Sequence, residues 1–210
     1  MRTKPRQLEL PTWGGRRQGA GRKPGAHRKV PHRPRPEHKS RFPLHVVLRV
    51  AAGLPSLRRP IVFAAVQKAL LAGSSRFGMR LIHYSVQGNH IHLIVEACDA
   101  LSLTRGMQGL MVRIARAVNR AAGRSGRVFA DHYFARELPT PAEVRRAVRY
   151  VLDNAMLHAG ADPRTDACAS NAPVVAPRTW LLAVGWLRSR AGPLPVSRWS
   201  TLDPSSAAAA

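Results

Sequence analysis

Apolar residues recur along the central part of the chain with two distinct periods. Leu44-His45-Val46-Val47-Leu48-Arg49-Val50 is short, β-branched and bounded by Pro43 and Gly53, which predicts a strand. From Ile61 to Leu71, after Pro60, the apolar residues fall at helical spacing, and Gly73 closes that helix. Met79–Val86 and His90–Ala97 read as two strands joined at the Gly88-Asn89 turn, a hairpin. Leu103, Met107, Leu110, Ile114 and Val118 form one stripe on a long helix over Leu101–Ala122, with Gly123 just beyond. Arg127–Leu138 reads as a fourth strand. Pro141–His158 is a final helix, with Thr140 as N-cap, Pro141 in the first turn, Glu143 three residues after the cap and Gly160 past the end. The order β-α-β-β-α-β-α points to an α+β fold: a split β-α-β core with an antiparallel sheet and packed helices.

The flanks differ in kind. Residues 1–42 carry 13 Lys and Arg against Glu9 and Glu37, with recurrent Gly and Pro and few apolar residues. Such a segment cannot offset its ordering entropy by burial, so it reads as a disordered basic arm. Within it, Gly21-Arg22-Lys23-Pro24-Gly25 reads first as a solvated basic stretch and second as a minor-groove hook. A catalytic domain is expected over 43–160. Residues 161–210 form an Ala/Pro-rich tail in which only 180–187, Trp180 to Leu187, has the apolar density to dock.

Charge narrows the function. Lys and Arg number 34 against 11 Asp and Glu, a formal net of +23. Self-repulsion on that scale is tolerable where a polyanion cancels it, which makes nucleic acid the expected partner. No apolar run reaches the roughly 18 residues of a membrane span, and no secretory leader is legible, so no membrane role is expected. Cys98 and Cys168 are too few for a disulfide framework or a four-thiolate zinc site. A cytoplasmic, nucleoid-associated protein follows as the expectation.

Period-2 reading of the third strand puts His90, His92, Ile94 and Glu96 on one face and Ile91, Leu93 and Val95 on the other, the expected core face. The two imidazoles stand about 6–7 Å apart, close enough to converge on one ion. Taken alone, the pair reads first as two half-buried structural histidines and second as metal ligands, and a metal needs a further ligand from elsewhere. On the last helix, Val144, Val148, Val151 and Ala155 mark the buried stripe. Tyr150 and Asn154, one turn apart, lie beside it. Asn154 offers a hard oxygen for Mg²⁺ or Mn²⁺. Tyr150 offers a phenol that can serve as a nucleophile or pack as a boundary aromatic. Tyr84 reads as a cross-strand packing residue, and Tyr133 as a base-stacking candidate or rival nucleophile. His45, His83 and His132 lack partners at ligand spacing. Arg113, Arg116 and Arg120 recur on one face of the long helix with too few acids to pair them, which favours phosphate contact.

From about Leu44 to Gly160 the chain resembles the single-tyrosine HUH transposases, specifically the REP-associated tyrosine transposase group. His90-Ile91-His92 matches the His–hydrophobic–His signature, and Tyr150 with Asn154 matches the catalytic tyrosine and the polar ligand one turn later. Many relatives carry Met-Pro where this chain has Gln87-Gly88. The resemblance implies a ferredoxin-like, RRM-related sheet. It also implies His90, His92 and Asn154 as ligands of Mg²⁺ or Mn²⁺, and Tyr150 as nucleophile in cutting and rejoining single-stranded or hairpin DNA through a 5′-phosphotyrosine. Arg145, Arg146 and Arg149 would hold the DNA backbone beside Tyr150. In such relatives the tyrosine serves either its own chain or a partner, so a monomer or a homodimer is equally implied. The competing reading is a catalytically silent nucleic-acid-binding module on the same fold.

Overall fold

The computed structural model describes residues 37–159, the side chains of 154–159 excluded, and residues 166–189. Most of the basic arm, the 160–165 connection and the end of the tail lie outside the described residues. The strands are β1 (Leu44–Arg49), β2 (Ser75–Arg76), β3 (Met79–Val86), β4 (His90–Ala97) and β5 (Phe134–Glu137). The helices are α1 (Pro60–Ala72), α2 (Ala100–Ala121), α3 (Pro141–Ala159) and α4 (Trp180–Ala183), with a 3₁₀ turn at Gly185–Arg188. The strands form one antiparallel sheet in the order β2-β3-β4-β1-β5. The four longer strands take the order of a split β-α-β core.

Each element begins where its residues dictate. Pro60 opens α1, where its missing N–H costs nothing. Asp99 caps α2 by accepting the Ser102 amide at 2.6 Å. Thr140 caps α3: its hydroxyl accepts the Glu143 amide at 3.2 Å and donates to the Glu143 carboxylate at 2.9 Å. Phe77 and Gly78 both adopt left-handed backbone and close the β2–β3 hairpin as a two-residue turn. The Gly88-Asn89 turn uses no left-handed residue; tertiary bonds hold it instead, from Leu57 N to Gly88 O and from Val50 N to Asn89 O.

The expected fourth strand, Arg127–Leu138, shrinks to Phe134–Glu137. Residues 128–133 are irregular because Val128, Phe129 and Tyr133 are all turned into the core, which a pleated strand cannot do. The expectation of a single core face also needs correction. One core lies between the sheet and α1–α2, and contains Leu48, Val66, Leu93, Val95, Leu110 and Ile114. A second lies on the other face, where Ile82, Ile94, Val144, Val148, Val151 and Trp186 pack together. A bulge in β3 sets both Ile82 and His83 opposite Ile94 and feeds this second core.

The segments that flank the elements from β1 to α3 pack against them. His38 bonds Glu137 at 2.7 Å, and Phe42 packs on the second core. Residues 168–174 run along the outer edge of β3, with bonds from Val86 N to Cys168 O, Ser170 N to Tyr84 O and Val174 N to Ile82 O, and shield that edge. Arg58 grips the buried Asp166 through two bonds, the shorter 2.7 Å. Buried Glu96 accepts the Arg178 and Thr179 amides and the Thr179 hydroxyl, and pairs with Arg80. It anchors α4, whose Leu181 and Leu182 join Trp186 against α3.

Helix α2 packs tightly on β3 at Gly106, where an added Cβ would stand 2.8 Å from Met79 Sδ and closer still to Met79 Cβ. Gly106→Ala is therefore expected to destabilise the domain by about 1–3 kcal/mol through overpacking. Ordinary helix propensity would give the opposite sign by roughly 1 kcal/mol. Urea unfolding of the two proteins decides the sign.

Candidate active site

The site face is built by register. Val47 on β1 pairs with His92 on β4, His45 pairs with Ile94, and Arg49 pairs with His90. Antiparallel partners point to the same side of a sheet, so His45, Val47, Arg49, His90 and His92 share one face. α3 lies across β3 and β4 on that face and brings Tyr150 to the imidazoles. The ring of Tyr150 stands edge-on to His92 with centroids 5.2 Å apart, and 6.0 Å from His45. The His90 and His92 rings are 4.7 Å apart and nearly perpendicular. An open cavity of about 650 Å³ is lined by His45, Arg49, Asn89, His90, His92 and Tyr150 among others.

The ring nitrogens are oriented by neighbours. His90 Nδ1 donates to Asn89 Oδ1 at 2.7 Å, which fixes the orientation of the ring. His92 Nδ1 shares a hydrogen bond of 3.1 Å with His45 Nε2, and the two rings stack with centroids 5.2 Å apart. Burial, and then the charge of Arg136, hold the His45 pKa below the ordinary imidazole value, so His45 is neutral near pH 7. Engagement of one nitrogen by a neighbour is how proteins orient metal-binding imidazoles, and in this respect the pair fits a divalent ion. Among the described residues no group of three or more His, Cys, Asp or Glu is arranged to hold a metal ion. The backbone of Asn154 continues α3 one turn beyond Tyr150, and its side chain lies outside the described residues.

The chain has three tyrosines. Tyr84 is buried and accepts a bond from Gln67 Nε2 at 3.0 Å, and Tyr133 is buried in the first core. Tyr150, at 38% exposure, is the one that opens to the cavity.

Residues 38–154, more than half of the chain, match the family described as IS200-like transposase. The chain belongs to that family. Among solved structures, a REP-associated tyrosine transposase bound to a REP hairpin is similar, at a TM-score of 0.54 and 11% identity, with 67% of this chain and 82% of that one covered. That likeness shows the shared fold. A candidate transposase from Deinococcus radiodurans also aligns, at a TM-score of 0.40 and 16% identity over 53% of this chain and 88% of that one. No curated protein matches the chain.

The arginines expected to meet DNA are divided by the sheet. Arg113, Arg116 and Arg120 ride on α2, on the face opposite the cavity. Arg146 and Arg149 are exposed on α3 near Tyr150, and Arg149 lies 3.5 Å from Asp153. Arg145 points the other way and donates to Ser189 O at 3.1 Å. His45 is the site residue that sequence spacing does not reveal. Its place depends on β1 lying beside β4, and the signal available was its position on the alternate face of the first strand. Among the described residues, no helix is long and apolar enough to cross a membrane.

On the same sheet face, His83 is buried and bonds Ser170 Oγ at 3.1 Å. Burial pushes its pKa down to about 3. The folded form thus stays neutral where the unfolded chain, with an ordinary value near 6.5, takes up a proton. Stability is unaffected above that value and falls as the pH drops below it. Between pH 7.5 and 5.5 the loss from this group is about 1.4 kcal/mol. Denaturant unfolding at the two pH values, compared with His83→Gln, is expected to show a shallower dependence in the variant.

Proposed function

We propose that this protein cuts and rejoins single-stranded or hairpin DNA, with Tyr150 as the nucleophile. The observation that carries this reading is the convergence of Tyr150, His90 and His92, from one chain, on one open cavity. Family membership supports DNA transposition as the task. The similar solved structure was determined with a REP hairpin, which supports short palindromes as the substrate class. The net charge of +23 suits a polyanionic partner.

In this mechanism the phenolic oxygen of Tyr150 attacks the scissile phosphorus in line. The P–O3′ bond breaks, and a 5′-phosphotyrosine forms beside a 3′-hydroxyl. Over the cycle the phenolic proton is balanced by the proton gained by the departing 3′-oxygen. Attack by that hydroxyl, or by another strand's, reverses the step, so the bond energy is conserved and no nucleotide cofactor is required. His90 and His92 would hold Mg²⁺ or Mn²⁺, with the amide of Asn154 as a third ligand. When bound, such an ion withdraws charge from a non-bridging phosphate oxygen. His45 is a positioning residue: it touches His92, and through it sets the orientation of one ligand. Arg49 lines the cavity, and Arg146 and Arg149 are exposed on the helix that carries Tyr150; these would supply cationic groups for the phosphates on either side. Arg113, Arg116 and Arg120 would meet a different stretch of the DNA, since the sheet lies between them and Tyr150. Tyr150 faces the histidines of its own chain, which favours action in cis by a monomer.

The test is cleavage of labelled hairpin DNA carrying single-stranded flanks, with Mg²⁺ or Mn²⁺. Wild type is expected to form a denaturation-resistant adduct. Tyr150→Phe is expected to abolish it, and chelation, His90→Ala or His92→Ala to reduce it by at least about 100-fold. An adduct that survives Tyr150→Phe would overturn the assignment. Tight, salt-sensitive binding without cleavage would favour the silent binding module. His45→Ala is expected to keep the adduct but slow its formation by about 10–100-fold and to raise the metal concentration required. A change in rate with no change in metal dependence would remove His45 from the positioning role.

A further inference from the structure

The face that carries the cavity is covered unevenly. α3, α4 and the 3₁₀ turn close it over β3 and β4, while β1 and the edge strand β5 carry its outer part. Val47, which lines the cavity, pairs on one side with His92 and on the other with Phe134. His92, Val47 and Phe134 therefore form one row across the sheet and point to the same side. Two strand spacings separate the ends of that row, about 10 Å. Phe134 is 63% exposed, whereas its neighbour Ala135 turns to the opposite face and packs on the first core.

The surroundings of Phe134 are cationic. Arg136, two residues along the same strand face, is exposed and pairs with Glu143 at 2.7 Å. Arg49, two residues from Val47 on β1, is exposed and lines the cavity. Among the described residues, the other strongly exposed large aromatics lie elsewhere. Phe77 sits in the β2–β3 turn, and Trp180 on α4 is covered on one side by the Arg188 guanidinium, 5.5 Å from its centroid. Tyr133, the aromatic that sequence reading favoured for stacking, is buried. An aromatic ring open to solvent, among arginines and beside an open polar cavity, is the arrangement that holds an unpaired base while the backbone is tracked by charge.

We propose that Phe134 is a stacking platform for an unpaired nucleobase that flanks the scissile phosphate. The proposal rests on the reading that the cavity acts on single-stranded or hairpin DNA. The platform is sequence-tolerant, since every base has a π-face, and it selects for unpaired over duplex flanks. It would hold the flanking nucleotide while Tyr150 meets the phosphate.

The experiment uses the full chain with Tyr150→Phe, which prevents turnover, and hairpin DNA with single-stranded flanks. 2-Aminopurine replaces one flanking base at a time. The expected result is strong quenching at one flanking position, lost in Phe134→Ala together with roughly 5- to 100-fold weaker binding. Phe134→Trp is expected to restore both, and Phe134→Leu, which keeps apolar bulk without a π-face, to restore neither. A fully paired flank is expected to bind equally well with and without Phe134→Ala. If the parent binds DNA but Phe134→Ala leaves quenching and affinity unchanged, the platform is wrong and the cleavage reading stands. If the parent binds no DNA at all, the cleavage reading fails, and the platform with it.

Discussion

The antiparallel register of β1 against β4 is the constraint from which the rest of the molecule follows. Pairing Val47 with His92 places Val46 and Leu93 together on one side and His45 and His92 together on the other. A slip of one residue would turn every side chain to the opposite face, and both cores would lose their apolar lining. Because Val46, Leu48, Leu93 and Val95 are buried under α1 and α2, such a slip is strongly disfavoured. The same register that buries the first core thus delivers three imidazoles, His45, His90 and His92, to the cavity.

The second core ties Tyr150 to the sheet. Val144, Val148 and Val151 hold α3 against Ile82 and Ile94, and Trp186 and Leu182 close over the helix from outside. Those outer residues belong to a segment anchored by polar groups that are buried but paired. Asp166 meets Arg58, Ser170 meets His83, and Glu96 meets two backbone amides and a hydroxyl. Each pairing avoids the cost of a buried polar group left unmet. Glu96 shares a strand face with His90 and His92, yet its lone pairs are taken up at the far end of the strand by Arg178 and Thr179. The identical residue type would serve as a metal ligand in another setting.

Two kinds of information were legible along the chain. Local order was one: β1, α1, the β3–β4 hairpin, α2 and α3 all follow from hydrophobic period, caps and turn residues, which act over a few positions. The His-x-His pair and the tyrosine one turn before Asn154 also appear in a linear reading, because strand and helix periods are local properties. The short β5 is different. Apolar Val128-Phe129-Ala130 and Tyr133 satisfy a strand pattern, and only their irregular packing against the core keeps this stretch from forming a regular strand.

By itself, then, the sequence determined the element types, the basic character, and the local spacing of His90, His92 and Tyr150. Tertiary structure decided which of these residues meet. It placed His45 against His92, because β1 inserts between β4 and β5 although some 40 residues of chain separate it from β4. It put the α2 arginines behind the sheet, buried Tyr133 and exposed Phe134. It also gave the sheet two covered faces where alternation in one strand had suggested one. The physical reason is common to all of these. Period and capping are set by neighbours along the chain, whereas facing, burial and convergence are set by which surfaces exclude water together, and the partners in that exclusion come from distant parts of the sequence.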